Sequence, residues 1–497
     1  MQILESLELI GPGAWRDRPH MNLLLQLDES EVQVLQSQAS ACYERLNDAL
    51  SRLGIEVSTL PLAQPESDPG APGQVALQLA AQWLGQTAVL LQCWAGHRVF
   101  WSSHLNDEAS KTVRAMYEFE DPASGKQAGE LALELLNQAL LGNNPGMDPA
   151  ANATRLRAFR VAAEQRVFPL DAELLMAAAM EQDIPVCKLD REPYEPICGD
   201  FRRRNNGLLR FGHACYQQVV DGTLCLQRSA KVLQELGQPS AGLAYLRRAG
   251  APVATPKDDI DSLHGRPYRF LCAGQQFLAT VDSSGSEVTE ECHVSWLEFV
   301  ADVAQKLELG MLAMDAVAVD LSQDWQHGTG FFTGLDISPQ LDTLLPMNPE
   351  LCRLMADEFI SWMFPPGTSA RVPLLSVTGT NGKTTICRML TRIASTAGYR
   401  VGLACTDGVY LNDELMESGD FSGADGHHRV LESHSINLAV LETARGAVLH
   451  SGFVFDHSDV SVCTNVTAEH LGEYGINTVE EMSQIKRLIV AKTRVAA

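Results

Sequence analysis

The chain has 497 residues, 45% of them hydrophobic and 20% charged, with a formal net charge of -24. That length exceeds one hydrophobic core and points to about three domains, while the composition excludes global disorder and fibrous repeats. So acidic a chain also argues against nucleic acid and anionic membrane as partners. Twelve cysteines without a CxxC pair indicate neither a zinc cluster nor a disulfide framework. With no signal-like start and no apolar run long enough for a bilayer, a cytoplasmic protein is expected.

Pro- and Gly-rich punctuation near residues 142–149 and 364–367 suggests domains over 1–155, 156–367 and 368–497. In the first, Ala88 to Trp94 reads as a strand and Gln127 to Leu141 as a helix. The apolar face of that helix is Ala128, Leu131, Ala132, Leu135, Leu136 and Ala139. Tyr117-Glu118-Phe119-Glu120 alternates as a half-buried strand does; its carboxylates are either a wet face or the seat of a cationic ligand. The middle segment carries helices at Asp171 to Asp183 and Val294 to Leu307. Asp315 and Asp336 are metal ligands only if the fold brings them together. His213, Cys215 and His327 lack ligand spacing.

From Arg371 onward apolar strands alternate with helices, the pattern of a doubly wound parallel sheet. Val372 to Val377 reads as a buried strand, and Gly379-Thr380-Asn381-Gly382-Lys383-Thr384-Thr385 follows it as a phosphate loop. Small residues there let backbone amides reach phosphate oxygens, and Lys383 adds a point charge. Ile386, Met389, Leu390, Ile393, Ala394 and Ala397 then recur at helical spacing, with Gly398 as the stop. Three more strands, Arg400 to Cys405, Ile436 to Leu441 and Asp459 to Val466, deliver Thr406 and Asp407, then Glu442 to Gly446, then Asn465, Glu469 and His470. Carboxyl ends of such strands are where open α/β sheets bind ligands. Magnesium beside ATP favours hydroxyl and carboxylate oxygens, so Thr384 and Glu442 are its expected ligands, with His470 as a third.

A generic P-loop would carry glycine at Val377; the string found here instead matches the loop of the Mur ligase superfamily. Cys405-Thr406-Asp407-Gly408-Val409-Tyr410 and Leu441-Glu442-Thr443-Ala444-Arg445-Gly446 resemble cyanophycin synthetase in particular. The resemblance implies a multidomain α/β and α+β protein: an α+β N-terminal domain, an ATP-grasp-like domain and a Mur central domain. Its cofactors are ATP and Mg2+. Glu442 and His470 are carried over as metal-binding and catalytic residues beside Lys383, and Asn465 as a nucleotide contact. Lys486 matches a position that is a carbamylated lysine in several Mur ligases; otherwise it is a surface helix lysine. The family's polymer of aspartate and arginine would meet Glu118, Glu120 and Arg445.

The likeness reaches the first strand and loop, Ile3 to Trp15, and the stretch Tyr117 to Leu133. Two ATP-grasp landmarks appear, Gly207 to His213 and Leu246 to Val253, but the Lys-bearing strand and Gly-rich loop beyond Pro256 do not. The closing Glu-x-Asn is replaced by Gly334-Leu335-Asp336, which implies a catalytically dead ATP-grasp unit. At Ala497 only the first part of a Mur central domain has been reached, so a homo-oligomer or a partner chain supplying the C-terminal domain is expected. Two functions follow. One is an ATP-dependent carboxylate-amine ligase acting through an acyl phosphate, impaired or incomplete in this chain; the other is a non-catalytic protein binding nucleotide and a cationic peptide.

Overall fold

A computed structural model describes residues 1–9, 18–55, 61–64, 72–106, 112–141, 149–189, 208–236, 239–253, 265–326, 330–469, 471 and 476–496. Its chain contacts divide it into two units, Met1–Val167 with Pro373–Ala497, and Phe168–Val372. The architecture is multidomain α/β with four sheets among the described residues. No helix among those residues is long and apolar enough to cross a membrane.

The first part of the chain runs β1 (Gln2–Leu9), β2 (His20–Gln26), α1 (Glu29–Arg52), α2 (Pro72–Trp94), β3 (Ser102–Asn106), β4 (Thr112–Glu118), α3 (Pro122–Leu141) and α4 (Pro149–Glu164). Its strands form an antiparallel sheet in the order β1-β2-β4-β3. A capping box opens α1: the Asp28 carboxylate accepts from the Glu31 amide, and the Glu31 side chain accepts from the Asp28 amide. The expected apolar face of α3 is buried throughout, each leucine contributing about 1.5–3 kcal/mol.

The expected strand Ala88 to Trp94 is instead the last two turns of α2. Ala80, Ala81, Trp83, Leu84, Ala88, Val89, Leu90 and Leu91 are all buried, because α2 packs on the sheet and on neighbouring helices at once. A helix apolar nearly all round has no one-sided period, so its final turns read like a buried strand. Tyr117 and Glu118 are also both buried, at 0% and 5% exposure, so Glu118 does not lie on a wet face. Its carboxylate accepts from Arg18 Nη1 at 3.2 Å and from the Phe100 amide at 3.3 Å.

The second unit contains α5 (Leu170–Glu181), β5 (Val186–Lys188), β6 (Leu208–Phe211), β7 (Gln218–Asp221), β8 (Leu224–Cys225), α6 (Leu226–Leu236), α7 (Pro239–Arg248), β9 (Arg266–Ala273), β10 (Gln276–Asp282), α8 (Val294–Leu307), β11 (Met311–Ala318), β12 (Gly330–Asp336) and α9 (Pro349–Met363). Its two sheets, β5-β6-β7-β8 and β10-β9-β11-β12, are antiparallel. The helix expected at Val294 to Leu307 is α8, and that expected from Asp171 is α5, which ends two residues early.

The rest of the first unit comprises β13 (Leu374–Thr378), α10 (Lys383–Thr396), β14 (Val401–Cys405), β15 (Gly408–Leu411), β16 (Glu414–Ser418), α11 (Ala424–Leu431), β17 (Leu438–Glu442), α12 (Arg445–His450), β18 (Ser458–Cys463), α13 (Val479–Ala491) and β19 (Thr493–Ala496). The seven strands take the order β16-β15-β14-β17-β13-β18-β19. The pairs β14-β17, β17-β13, β13-β18 and β18-β19 are parallel, and β15 and β16 close one edge as an antiparallel hairpin. On α10, Ile386, Leu390 and Ala394 pack on the sheet, whereas Met389 and Ile393 of the expected face are exposed.

Candidate nucleotide-binding site

The loop after β13 lies between the carboxyl ends of β17 and β18, because β13 sits between those two strands. Its shape depends on Gly379 and Gly382. At Gly379 φ is 143°, and a Cβ would come within 1.9 Å of Thr464 Oγ1. Gly382 stands at φ 84° as the N-cap of α10, and no side chain caps that end. The amides of Lys383, Thr384 and Thr385 therefore open the helix with no intrahelical acceptor, at the positive end of its dipole. That is a built-in receptor for phosphate oxygens.

The segment following β18 holds the loop from behind. The Thr380 amide donates to Asn465 O at 3.0 Å and the Asn381 amide to Asn465 Oδ1 at 3.0 Å. Thr464 Oγ1 donates to Asn381 O at 2.7 Å, while Asn381 Nδ2 donates to Glu469 Oε2 at 3.0 Å. Thr380 Oγ1 accepts from the Thr467 amide at 3.1 Å and from Lys486 Nζ at 2.7 Å. Asn465, expected as a nucleotide contact, thus grips the loop itself. Thr464 and Thr467 were missed in the sequence; the only signal for them is their position just beyond a strand end.

Glu442 is the last residue of β17 and wholly buried. Its Oε2 accepts from Thr384 Oγ1 at 2.9 Å and from the Thr406 amide at 3.3 Å. Among the described residues its Oε1 has no hydrogen-bond partner, and it faces Lys383 Nζ at 3.8 Å. A buried carboxylate oxygen left without a hydrogen bond is costly unless a cation meets it. With the Thr384 hydroxyl beside it, the donor set is the hard-oxygen kind that suits magnesium. Lys383 Nζ also donates to Thr380 O at 3.2 Å, which curls the side chain over the loop.

Behind the carboxylate, His427 of α11 bonds the Glu442 carbonyl through Nε2 at 2.9 Å. Burial pushes its imidazole down to about 4. Folded below its ordinary value near 6.5, the neutral ring contributes stability that is complete above that value and is lost as pH falls toward 4. The wild type is therefore expected to lose about 2 kcal/mol more than His427→Gln between pH 7 and pH 5. Urea midpoints at the two pH values check this; parallel losses in both proteins would reject it.

Lys486 is 3% exposed, so it is no surface lysine. A capping box of Thr478 and Glu481 starts α13, and Met482, Lys486 and Ile489 then point inward at spacings of four and three. Burial pushes the Lys486 ammonium below its ordinary range, Cys463 opposes this, and the charges of Lys383 and Arg445 add to it. The side chains of Lys383 and Lys486 thus both reach Thr380, at 3.2 Å from its carbonyl oxygen and 2.7 Å from its hydroxyl. Arg445, the first residue of α12, also places Nη1 4.0 Å from Met482 Sδ.

The fold therefore ties Gly379 to Thr385, Glu442, Asn465 and Lys486 together through these hydrogen bonds, with Arg445 beside Met482 of α13. His470 lies outside the described residues, as do His327 and the loop from Gly11 to Trp15. Glu118 and Glu120 belong to the antiparallel sheet region; the Arg98 amide donates to Glu120 Oε2 at 2.9 Å, and His97 Nδ1 lies 3.6 Å from that oxygen. His213 is buried, and Cys215 is half-buried. Asp315 and Asp336 do meet, but on Arg269: Nη1 lies 3.0 Å from Asp315 Oδ1 and Nη2 2.5 Å from Asp336 Oδ2.

Residues 377–496 match the Mur ligase middle domain. The loop, Glu442, Asn465 and Lys486 all lie within that Mur ligase segment. Cyanophycin synthetase of Synechocystis sp. is 36% identical over 264 residues, covering 52% of this chain and 29% of the relative. The UDP-N-acetylmuramoyl-L-alanyl-D-glutamate--2,6-diaminopimelate ligase of Geobacillus thermodenitrificans is 32% identical over 127 residues, 24% of this chain and 25% of that enzyme. Homology to cyanophycin synthetases thus spans about half the chain, within the Mur ligase superfamily, while the match covers under a third of those relatives. A bifunctional glutathione synthetase from Pasteurella multocida covers 70% of this chain and 82% of its own at 11% identity and a TM-score of 0.31, a likeness too slight to carry an argument.

Proposed function

We propose that the Mur ligase middle domain of this chain binds magnesium-ATP for the ATP-dependent joining of a carboxylate to an amine, as in cyanophycin synthetase. The observation that carries the reading is the buried Glu442 carboxylate, with one oxygen on the Thr384 hydroxyl and the other, beside Lys383, lacking a hydrogen bond among the described residues. Glu442 and Thr384, with His470 by resemblance, would hold magnesium, which supplies charge neutralisation at the phosphates.

The chain's own groups do the rest. Amides of Lys383 to Thr385 and the Lys383 ammonium orient the triphosphate. A substrate carboxylate oxygen attacks the γ-phosphorus and ADP leaves. The amine nitrogen then attacks the acyl carbon, the C–O bond to phosphate breaks, and inorganic phosphate departs as the nitrogen loses a proton. On the same reading Lys486, whose ammonium burial pushes below its ordinary range, would add to CO2 with loss of a proton, giving a carbamate. An acceptor of aspartate and arginine, held at Glu118, Glu120 and Arg445, and a second chain completing the Mur fold belong to the same reading. So does the division into an N-terminal domain (1–155), a reduced ATP-grasp-like domain (156–367) and the Mur segment (368–497).

Phosphate release from ATP is expected only when an aspartate-arginine peptide and arginine are both present, and Lys383→Ala is expected to lower it at least tenfold. A colorimetric phosphate assay with mass spectrometry of the peptide checks this. Nucleotide binding without any lengthened peptide would instead favour a non-catalytic nucleotide- and peptide-binding protein.

A further inference from the structure

In the second unit Arg269 of β9 stands opposite Asp315 of β11, and Asp315 stands opposite Gly334 of β12. The guanidinium spans both carboxylates. Its Nη1 donates to the two oxygens of Asp315 at 3.0 and 3.1 Å, and its Nη2 to Asp336 Oδ2 at 2.5 Å. The other Asp336 oxygen accepts from the Ser338 amide at 3.0 Å. Gly334 adds no carboxylate, and a Cβ there would already lie 3.0 Å from Asp315 Oδ2. The triad is not sealed from ions. Its side chains are 32–38% exposed, and Arg269 and Asp315 line a cavity of about 280 Å³ with Tyr268, Thr333 and Gln340.

By the cyanophycin synthetase resemblance Asp315 stands at a metal-like position, and Asp336 ends the Gly334-Leu335-Asp336 string that replaces the family's closing Glu-x-Asn. We infer that Arg269 is a built-in counter-ion standing where a divalent cation would sit between Asp315 and Asp336, so that this unit holds no magnesium-nucleotide there. A planar guanidinium forks onto carboxylates with directed hydrogen bonds, and being tethered it needs no capture from solution. Magnesium wants near-octahedral oxygens and gives up water reluctantly; here it would have to evict a cation that already satisfies both acids. The pair does require a cation. Burial pushes the Asp315 carboxyl up, Arg269 opposes this, and the neighbouring Asp336 charge adds to it. Arg269 thereby ties β9, β11 and β12 together, a structural use of residues that would otherwise bind metal.

The test is Mn2+ binding counted by electron paramagnetic resonance on the full chain. Arg269→Met is expected to take up one more Mn2+ than the wild type, and Arg269→Met/Asp315→Asn to lose that extra ion. In EDTA, Arg269→Met is expected to melt below the wild type, with Mn2+ restoring the difference but not in the double variant. Asp315→Asn or Asp336→Asn in the wild-type background is expected to leave the Mn2+ count unchanged, a measurement that does not require the arginine variant to fold. A wild-type count that drops with either of these substitutions overturns the inference. So does a folded Arg269→Met that gains no ion.

Discussion

Glu442→Gln is expected to weaken magnesium-dependent nucleotide binding by about a hundredfold, near 2.7 kcal/mol, while the fold stands. The carboxylate is wholly buried at the end of β17, and Lys383 Nζ lies 3.8 Å from it. A neutral amide of nearly the same shape keeps the acceptor for Thr384 Oγ1 and the Thr406 amide but removes the charge a divalent ion needs. Removing one partner of a buried pair is costly when the other charge stays buried, but the Lys383 side chain is 19% exposed, so water can still reach its ammonium. Calorimetric titration with a nonhydrolysable ATP analogue, with and without magnesium, reads the first effect, and differential scanning calorimetry the second. An affinity within threefold of the wild type in magnesium would show that Glu442 does not serve the metal; a collapse of the melting transition would show that its charge serves the fold.

Gly379→Ala is expected to be as severe for a different reason. A Cβ would lie 1.9 Å from Thr464 Oγ1 and 3.2 Å from the Asn465 amide nitrogen, at a φ of 143° that side chains rarely adopt. Backbone strain of about 1–3 kcal/mol is one part of the cost. The other is positional. To make room, the loop must separate from Thr464 and Asn465, and a shift of about 1 Å is enough to cost a hundredfold in a phosphoryl-transfer geometry. Phosphate release should fall by about that factor, and amide hydrogen exchange over 379–385 should rise. Unaltered exchange together with unaltered turnover would mean that the clamp from β18 does not set the loop.

Sequence alone located the loop, β13 and α10, because all three are written in consecutive residues: an apolar strand, small residues, then helical spacing from Ile386. Glu442 was legible because strand ends of a parallel sheet converge. Less was visible wherever a contact joins distant segments. Nothing adjacent to Arg269 marks it, since its meaning comes from lying opposite Asp315 in another strand. The grip of Thr464 and Thr467 on Thr380 is of the same kind. Lys486 was found only through family likeness, and its burial follows from the register of α13, which the capping box at Thr478 sets. For Ala88 to Trp94 the failure was of another sort, a helix enclosed on several sides that shows no polar face.

The hydrogen bonds that hold the phosphate loop cross 84 residues from Asn381 to Asn465 and 106 from Thr380 to Lys486. A ribosome adding about 5–20 residues per second leaves the loop without this support for roughly 4–20 seconds after it emerges. Over that interval β13 and α10 can form, yet the receptor between them has no fixed shape. Competence to recognise phosphate thus lags synthesis of the loop, set by the arrival of β18 and α13 rather than by the loop's own residues.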